Sequence, residues 1–376
     1  MIRKYDRKLI LEDGKEYLGY SFGAPGERIC EIVFNTSMTG YQEILTDPSY
    51  SDQAVVMTYP LIGVYGVNRE DSETADPGIG ALIVREYEDG AFHFRGERTL
   101  SEQMRLWNIP GIGGVDTREL TRSIRDAGSR KALITGCETT LEEGLARLKE
   151  TQLPTDSVSR VSCREMVVRG PSAFGNGPEG ACGEQARFHV VLIDCGVKES
   201  IVHSLLQAGC RVTIVPWNTD AARILAFSPD GVLISNGPGD PRDVPETVET
   251  VRQIRGHCPV LGICLGHQIL ALSYGAKIYK LKFGHRGGNH PVLDTESGKI
   301  FMTAQNHSYA VDAASLSETD LCVTYRNLLD DTVEGVKCER DHTFGVQFHP
   351  EGAPGPHDPK NLFDRFLEEM EHACKK

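Results

Sequence analysis

Pro259-Val260-Leu261-Gly262-Ile263-Cys264-Leu265-Gly266-His267-Gln268 is the stretch that decides the fold of the second half of this chain. A short apolar run enters Gly-x-Cys-x-Gly. Leu265, Ile269, Leu270 and Leu272 then recur at helical spacing, and Gly275 caps the helix. Strand, sharp turn and helix make the nucleophile-elbow pattern, with Cys in place of Ser. Small residues are needed on both flanks, because the nucleophile sits on a strained turn that neighbours must not crowd. The geometry sets the sulfur at a helix N-terminus, where the dipole favours a thiolate. It also leaves the amide of Leu265 available to an oxyanion. On its own the pattern reads more readily as a buried structural thiol, so the elbow needs companions.

The surrounding rhythm supplies the fold. Residues 190–194, 212–215, 231–235 and 260–263 are short apolar strands separated by helical stretches, one of them 199–208 with Gly209 just past its end. Such runs predict a parallel sheet buried on both faces, with its site beyond the C-terminal ends of the strands. Residues 170–187 are rich in Gly, Pro and small side chains and read as a linker. Ahead of it, 8–11 and 15–17 predict a hairpin, and 31–34, 54–58 and 81–84 predict strands. Asp116 or Thr117 caps a following helix. Strands first and helices later suggest a mixed α+β domain there. The expected organisation is an N-terminal domain at 1–169, a linker at 170–188 and an open α/β domain at 189–376.

Downstream of the elbow lies Gly345-Val346-Gln347-Phe348-His349-Pro350-Glu351. Pro350 biases His349 toward extended backbone, and residues two apart in extended chain project to one side, so His349 and Glu351 converge. A carboxylate beside an imidazole fixes its tautomer and stabilises its charged form, which is what a Cys-His pair requires. His-Pro-Glu alone reads as a loop. With the elbow, in the order Cys, His, Glu, it reads as catalysis.

Composition narrows the rest. The 376 residues suffice for two domains, and 40% hydrophobic with 25% charged residues is a soluble globular profile. A net charge of −13 argues against nucleic acid or an anionic membrane as the main partner. Neither a signal peptide nor an apolar run of membrane-spanning length is present in the sequence given, so a cytoplasmic location is expected. The eleven cysteines are scattered without Cys-x-x-Cys or zinc spacing and read mostly as reduced, buried thiols. No Gly-x-x-x-x-Gly-Lys-Ser/Thr phosphate loop occurs.

The elbow and the His-Pro-Glu segment resemble those of class I glutamine amidotransferases. A third segment, Ser235-Asn236-Gly237-Pro238-Gly239-Asp240-Pro241, is similar to that family's glycine turn. The resemblance extends to the carbamoyl-phosphate synthetase small-subunit family through 35–50, Asp116-Thr117-Arg118, 283–291 and Gln305-Asn306-His307. It covers nearly the whole chain.

The resemblance implies Cys264 as nucleophile, His349 as acid and base, and Glu351 as its orienting carboxylate. It implies Gly237 as a second oxyanion amide beside Leu265. Glutamine would be held at Ser49, Gly237, Gly239, Leu265, Gln268, Asn306, Ser308 and Tyr309. Read without the family, Ser49 is a turn residue after Pro48 and Gln268 an exposed helix position. Ser308 departs from the family's usual glycine and would tighten the pocket. His285 and His290 read as structural, with no metal site expected.

The resemblance further implies a large-subunit partner in a heterodimer, with assembly into higher oligomers open to it. Ammonia would pass to that partner through an internal channel. ATP and Mg²⁺ are expected on the large subunit, with no cofactor in this chain, and carbamoyl phosphate would feed arginine or pyrimidine biosynthesis. The competing readings are the glutaminase of another synthase, an α/β-hydrolase whose acid would precede its histidine, and a non-enzymatic regulatory subunit.

Overall fold

The computed structural model describes residues 4–171, 186–359 and 361–374. It divides into two compact units, Met1–Pro154 with Lys282–Gly287, and Thr155–Leu281 with Gly288–Lys376.

In the first unit the strands close into a barrel. Its order in space is Arg7–Leu11, Glu16–Gly23, Pro110–Gly113, Ala81–Ile83, Gln53–Met57, Arg28–Asn35 and Arg130–Gly136, which returns to the first. The expected hairpin is present, with Leu9 opposite Tyr17. The strands expected at 31–34, 54–58 and 81–84 lie within barrel strands, and Asp116 caps the helix Thr117–Ala127 by accepting from Glu119 N at 3.0 Å. Closure itself was not foreseen. It rests on pairings between residues over 90 apart in sequence, such as Tyr20 with Gly113 and Leu9 with Ile134, which no local pattern announces. The family-like segment at 35–50 folds back on itself, with Asn35 Nδ2 donating to Tyr50 Oη at 2.8 Å.

The second unit is a ten-stranded sheet. Its parallel centre runs Cys210–Pro216, Phe188–Asp194, Gly231–Ile234, Val260–Ile263 and Thr343–Val346. Val333–Cys338 pairs antiparallel with the last of these and opens the outer part of the sheet. Both faces are covered, which explains the unbroken apolar runs. Val190 and Leu192 pack in one core with Ile201, Leu205, Phe366 and Met370 of the helices Glu199–Gln207 and Asn361–Cys374. Val191 and Ile193 pack in the opposite core with Val251, Ile254, Ile269 and Leu270 of Pro245–Ile254 and Leu265–Ser273. The period-2 geometry of a strand thus sends alternate residues into two different cores.

The domain boundary shifts. Residues 155–169, assigned to the N-terminal domain from sequence, belong to the second unit, because Val167–Arg169 pairs antiparallel with Cys210–Pro216 at the sheet edge. Most of the expected linker at 170–188 lies outside the described residues, and Phe188 at its end already begins a strand. No helix among the described residues is long and apolar enough to cross a membrane.

Candidate active site

Cys264 sits between the strand Val260–Ile263 and the helix Leu265–Ser273 at φ 53°, ψ −104°, a left-handed conformation that a side-chain-bearing residue adopts only under constraint. Its N–H donates to Val346 O at 2.8 Å. A methyl group on Gly262 would lie 2.5 Å from Gly266 O, and one on Gly266 only 2.1 Å from Ile234 O. Backbone therefore fills the space on both flanks of Cys264. Leu265 is the first residue of the helix, and Cys264 offers no side-chain cap, so the first amide has no acceptor within its own helix.

Sheet register brings the second segment alongside. Ile263 pairs with Val346 in adjacent parallel strands, so Cys264 and Gln347 leave the sheet side by side at its C-terminal edge. Two residues on, His349 N donates to Ala304 O at 2.8 Å and fixes the backbone. His349 Nδ1 lies 2.7 Å from Glu351 Oε1, and since a carboxylate only accepts, the imidazole is the donor. The same oxygen receives Lys198 Nζ at 2.8 Å. Lys198 also donates to the carbonyl of Ala353, and Lys198, His349 and Glu351 are all buried.

Burial would raise the Glu351 pKa, but Lys198 and His349 outweigh it and hold the carboxyl well below the usual range. Burial opposes the charged form of His349 too, yet Glu351 and Cys264 raise its pKa to about 10. The imidazole is thus a cation at neutral pH. With Nδ1 held by Glu351, Nε2 is the ring nitrogen left to face Cys264. His267, one turn along the elbow helix, is the opposite case. Complete burial lowers its pKa to about 4, so it is neutral and cannot serve as the acid.

The glycine turn follows Gly231–Ile234. A methyl on Gly237 would lie 2.1 Å from Cys195 O and 2.8 Å from Leu265 Cδ2, so space alone demands glycine there. Gly239 has open space around it and is required by its φ of +88°. Asn306, Ser308 and Tyr309 lie along the strand Ile300–Val311, and Cys264 Sγ is 3.4 Å from Asn306 O.

Gln268 corrects its family-free reading. It is buried, with Nε2 donating to Tyr309 O at 2.8 Å and to Gln347 Oε1 at 2.9 Å. Ser49 belongs to the first unit, in the short 3₁₀ turn Pro48–Tyr50, where its N–H donates to Asp47 Oδ1 at 2.9 Å. His285 and His290 fall in different units. Every cysteine with a described side chain is a free thiol, and burial pushes Cys30 and Cys210 up to about 12, as inert core thiols should be.

Sequence reasoning missed Lys198 and Gln347. Lys198 carries no local signal, since a lysine just before a helix is ordinarily solvated. Gln347 was readable in principle, two residues from His349 in extended chain and so on the same side.

The two parts of the chain match two different family models. Residues 191–369 match the model described as Glutamine amidotransferase class-I, and 9–134 match that described as Carbamoyl-phosphate synthase small chain, CPSase domain. The Carbamoyl phosphate synthase small chain of Fusobacterium nucleatum is 47% identical over 99% of this chain and 100% of its own length. The chain belongs to the carbamoyl-phosphate synthase small-chain family. Another member, the Carbamoyl phosphate synthase pyrimidine-specific small chain of Bacillus subtilis, is 46% identical over 97% of this chain and 96% of its own. Within the small-chain family frame, the barrel unit carries the match to the CPSase domain, and the sheet unit carries the amidotransferase match and the Cys264 elbow.

Proposed function

We propose that this chain hydrolyses glutamine for carbamoyl-phosphate synthesis, working with a large-chain partner. The observation that carries the reading is the convergence of Cys264, His349 and Glu351 at the ends of two adjacent parallel strands. An intact triad sets aside a regulatory subunit with a dead site, and a glutamate that follows its histidine is the wrong order for an α/β-hydrolase.

In this reading the Cys264 thiolate attacks the glutamine carboxamide, and the oxyanion is held by the amides of Leu265 and Gly237, each worth about 3 kcal/mol by analogy with known holes. His349 gives its proton to the departing ammonia, leaving a thioester. The neutral imidazole then takes a proton from water, which cleaves the thioester to glutamate and restores the thiolate pair. Glu351 keeps the ring oriented, and Lys198 keeps Glu351 ionised.

Both amide hydrogens of Gln268 are engaged by Tyr309 O and Gln347 Oε1. Its carbonyl oxygen is therefore the atom left for substrate, an acceptor suited to the α-ammonium of glutamine. Gly237, Gly239, Leu265, Asn306, Ser308 and Tyr309 complete the contacts offered by this unit. ATP and Mg²⁺ are assigned to the large chain, and the complex to the cytoplasm as a heterodimer able to assemble further. Ammonia reaches the partner unprotonated only if it is kept from bulk water, hence a channel.

The test is glutamate release by the purified chain, alone and with a carbamoyl-phosphate synthase large chain. Slow release that accelerates in the complex, with carbamoyl phosphate formed, supports the reading. Release indifferent to the partner points to another synthase, and no release in either state overturns it.

A further inference from the structure

Besides His349, the Cys264 sulfur has among the described residues two neutral polar neighbours of opposite character. Asn306 O, 3.4 Å away, is an acceptor and suits the protonated thiol. Gln347 Nε2, 3.6 Å away, is a donor and suits the thiolate. An amide can present either end, so the orientation of Gln347 matters. Here it is fixed: Gln347 Oε1 accepts from Gln268 Nε2 at 2.9 Å, which turns the Gln347 amide nitrogen toward sulfur. Gln268 is itself held by Tyr309 O at 2.8 Å. The backbone of Gln347 is fixed as well, its N–H donating to Glu334 O at 2.8 Å. Gln347 is fully buried, so no water competes for its donor.

We infer that Gln347 is a positioning residue for the nucleophile, its side-chain N–H binding the Cys264 thiolate and drawing the sulfur away from the Asn306 carbonyl. Deprotonation reverses the sulfur's preference, because an anion is repelled by a carbonyl oxygen and attracted by an N–H. Hydrogen bonds to a charged group are the stronger class. The sulfur thus has one contact that suits the thiol and one that suits the thiolate, and Gln347 links the second to Gln268. The charged or titratable groups around it are His349, with Glu351 and Lys198 behind the imidazole. All three are unchanged by substitution at 347, so a change there isolates the neutral donor. The inference rests on Cys264 being the attacking sulfur, and its test does not need glutamine.

The experiment is the pH profile of Cys264 alkylation by iodoacetamide in the full chain, with Cys264→Ser as the blank for other thiols. In Gln347→Met, a side chain of similar length without a donor, the profile is displaced by about one pH unit to the alkaline side, that is about tenfold slower below the plateau and equal on it. Gln347→Asn, one methylene short of the sulfur, keeps an amide in the same cavity and gives a displacement in the same direction if Gln347→Met fails to fold. Profiles superimposable on the parent in a folded variant overturn the inference, whatever the glutaminase assay shows. A displaced profile in a chain that never releases glutamate keeps the Gln347 contact and removes only the substrate.

Discussion

Lys198 and Glu351 form a buried ion pair, Nζ to Oε1 at 2.8 Å, on the side of the carboxylate that His349 shares. Neither is within reach of solvent, so the pair stands or falls together. An acid at 351 without the lysine would leave the imidazolium as its only counter-charge.

Replacing Lys198 by Met should therefore act on folding and on catalysis at once. Breaking a buried pair from one side leaves an uncompensated charge and costs about 3 kcal/mol or more. Urea unfolding of Lys198→Met should show that loss, while glutamate release drops because Glu351 no longer holds the ring as a fixed anion. Unchanged stability and turnover would show that the pair is only a surface-like contact.

Cys264→Ser should leave the fold intact and lower glutamate release by a factor of about 10³ or more, since an alkoxide is not formed at neutral pH beside an imidazolium. With a large chain present, carbamoyl phosphate should still form from added ammonia. Loss of the ammonia-dependent reaction as well would place the defect in assembly and not in the sulfur.

The pH dependence of stability follows from two opposite shifts. His349 is raised from 6.5 to about 10, so its contribution is fully present below pH 6.5 and fades as pH climbs toward 10. Glu351 is lowered, so its contribution is present above its ordinary 4.5 and fades only in strong acid. Melting temperature measured from pH 7 to pH 10.5 should decline for the parent. It should decline less for His349→Asn, and parallel curves would argue against a charged imidazole.

Glycines of the site should separate by mechanism. Gly266→Ala must push a methyl into the carbonyl of Ile234, which is backbone and cannot yield, so the elbow is lost and Cys264 alkylation with it. Gly239→Ala meets no atom and bears only the positive-φ penalty of about 1 kcal/mol. Alkylation of Cys264 alongside a melting curve distinguishes the two, and equal behaviour would refute the spatial argument.

Much of the second unit was legible because its signals are local. A run such as Val190-Val191-Leu192-Ile193 admits few environments other than a strand covered on both faces, and Gly262, Cys264 and Gly266 mark a turn that few other residues can make. His349 and Glu351 could be paired from spacing and Pro350 alone. The barrel could not be foreseen, because its closure depends on contacts such as Leu9 with Ile134, whose partners are fixed only when the whole ring forms. The boundary at 154 was hidden for the same reason, since Val167–Arg169 finds its partner strand more than 40 residues downstream.

The chain by itself determined the parallel sheet and the elbow, and it marked Cys264, His349 and Glu351 as residues to look for together. Only the tertiary structure decided which polar residues are buried beside them. Lys198, Gln268 and Gln347 look like solvated side chains until strand register and helix packing bring Glu351, Tyr309 and Cys264 to them. A polar group can be buried only where its partners converge, and those partners lie 41 to 153 residues away along the chain.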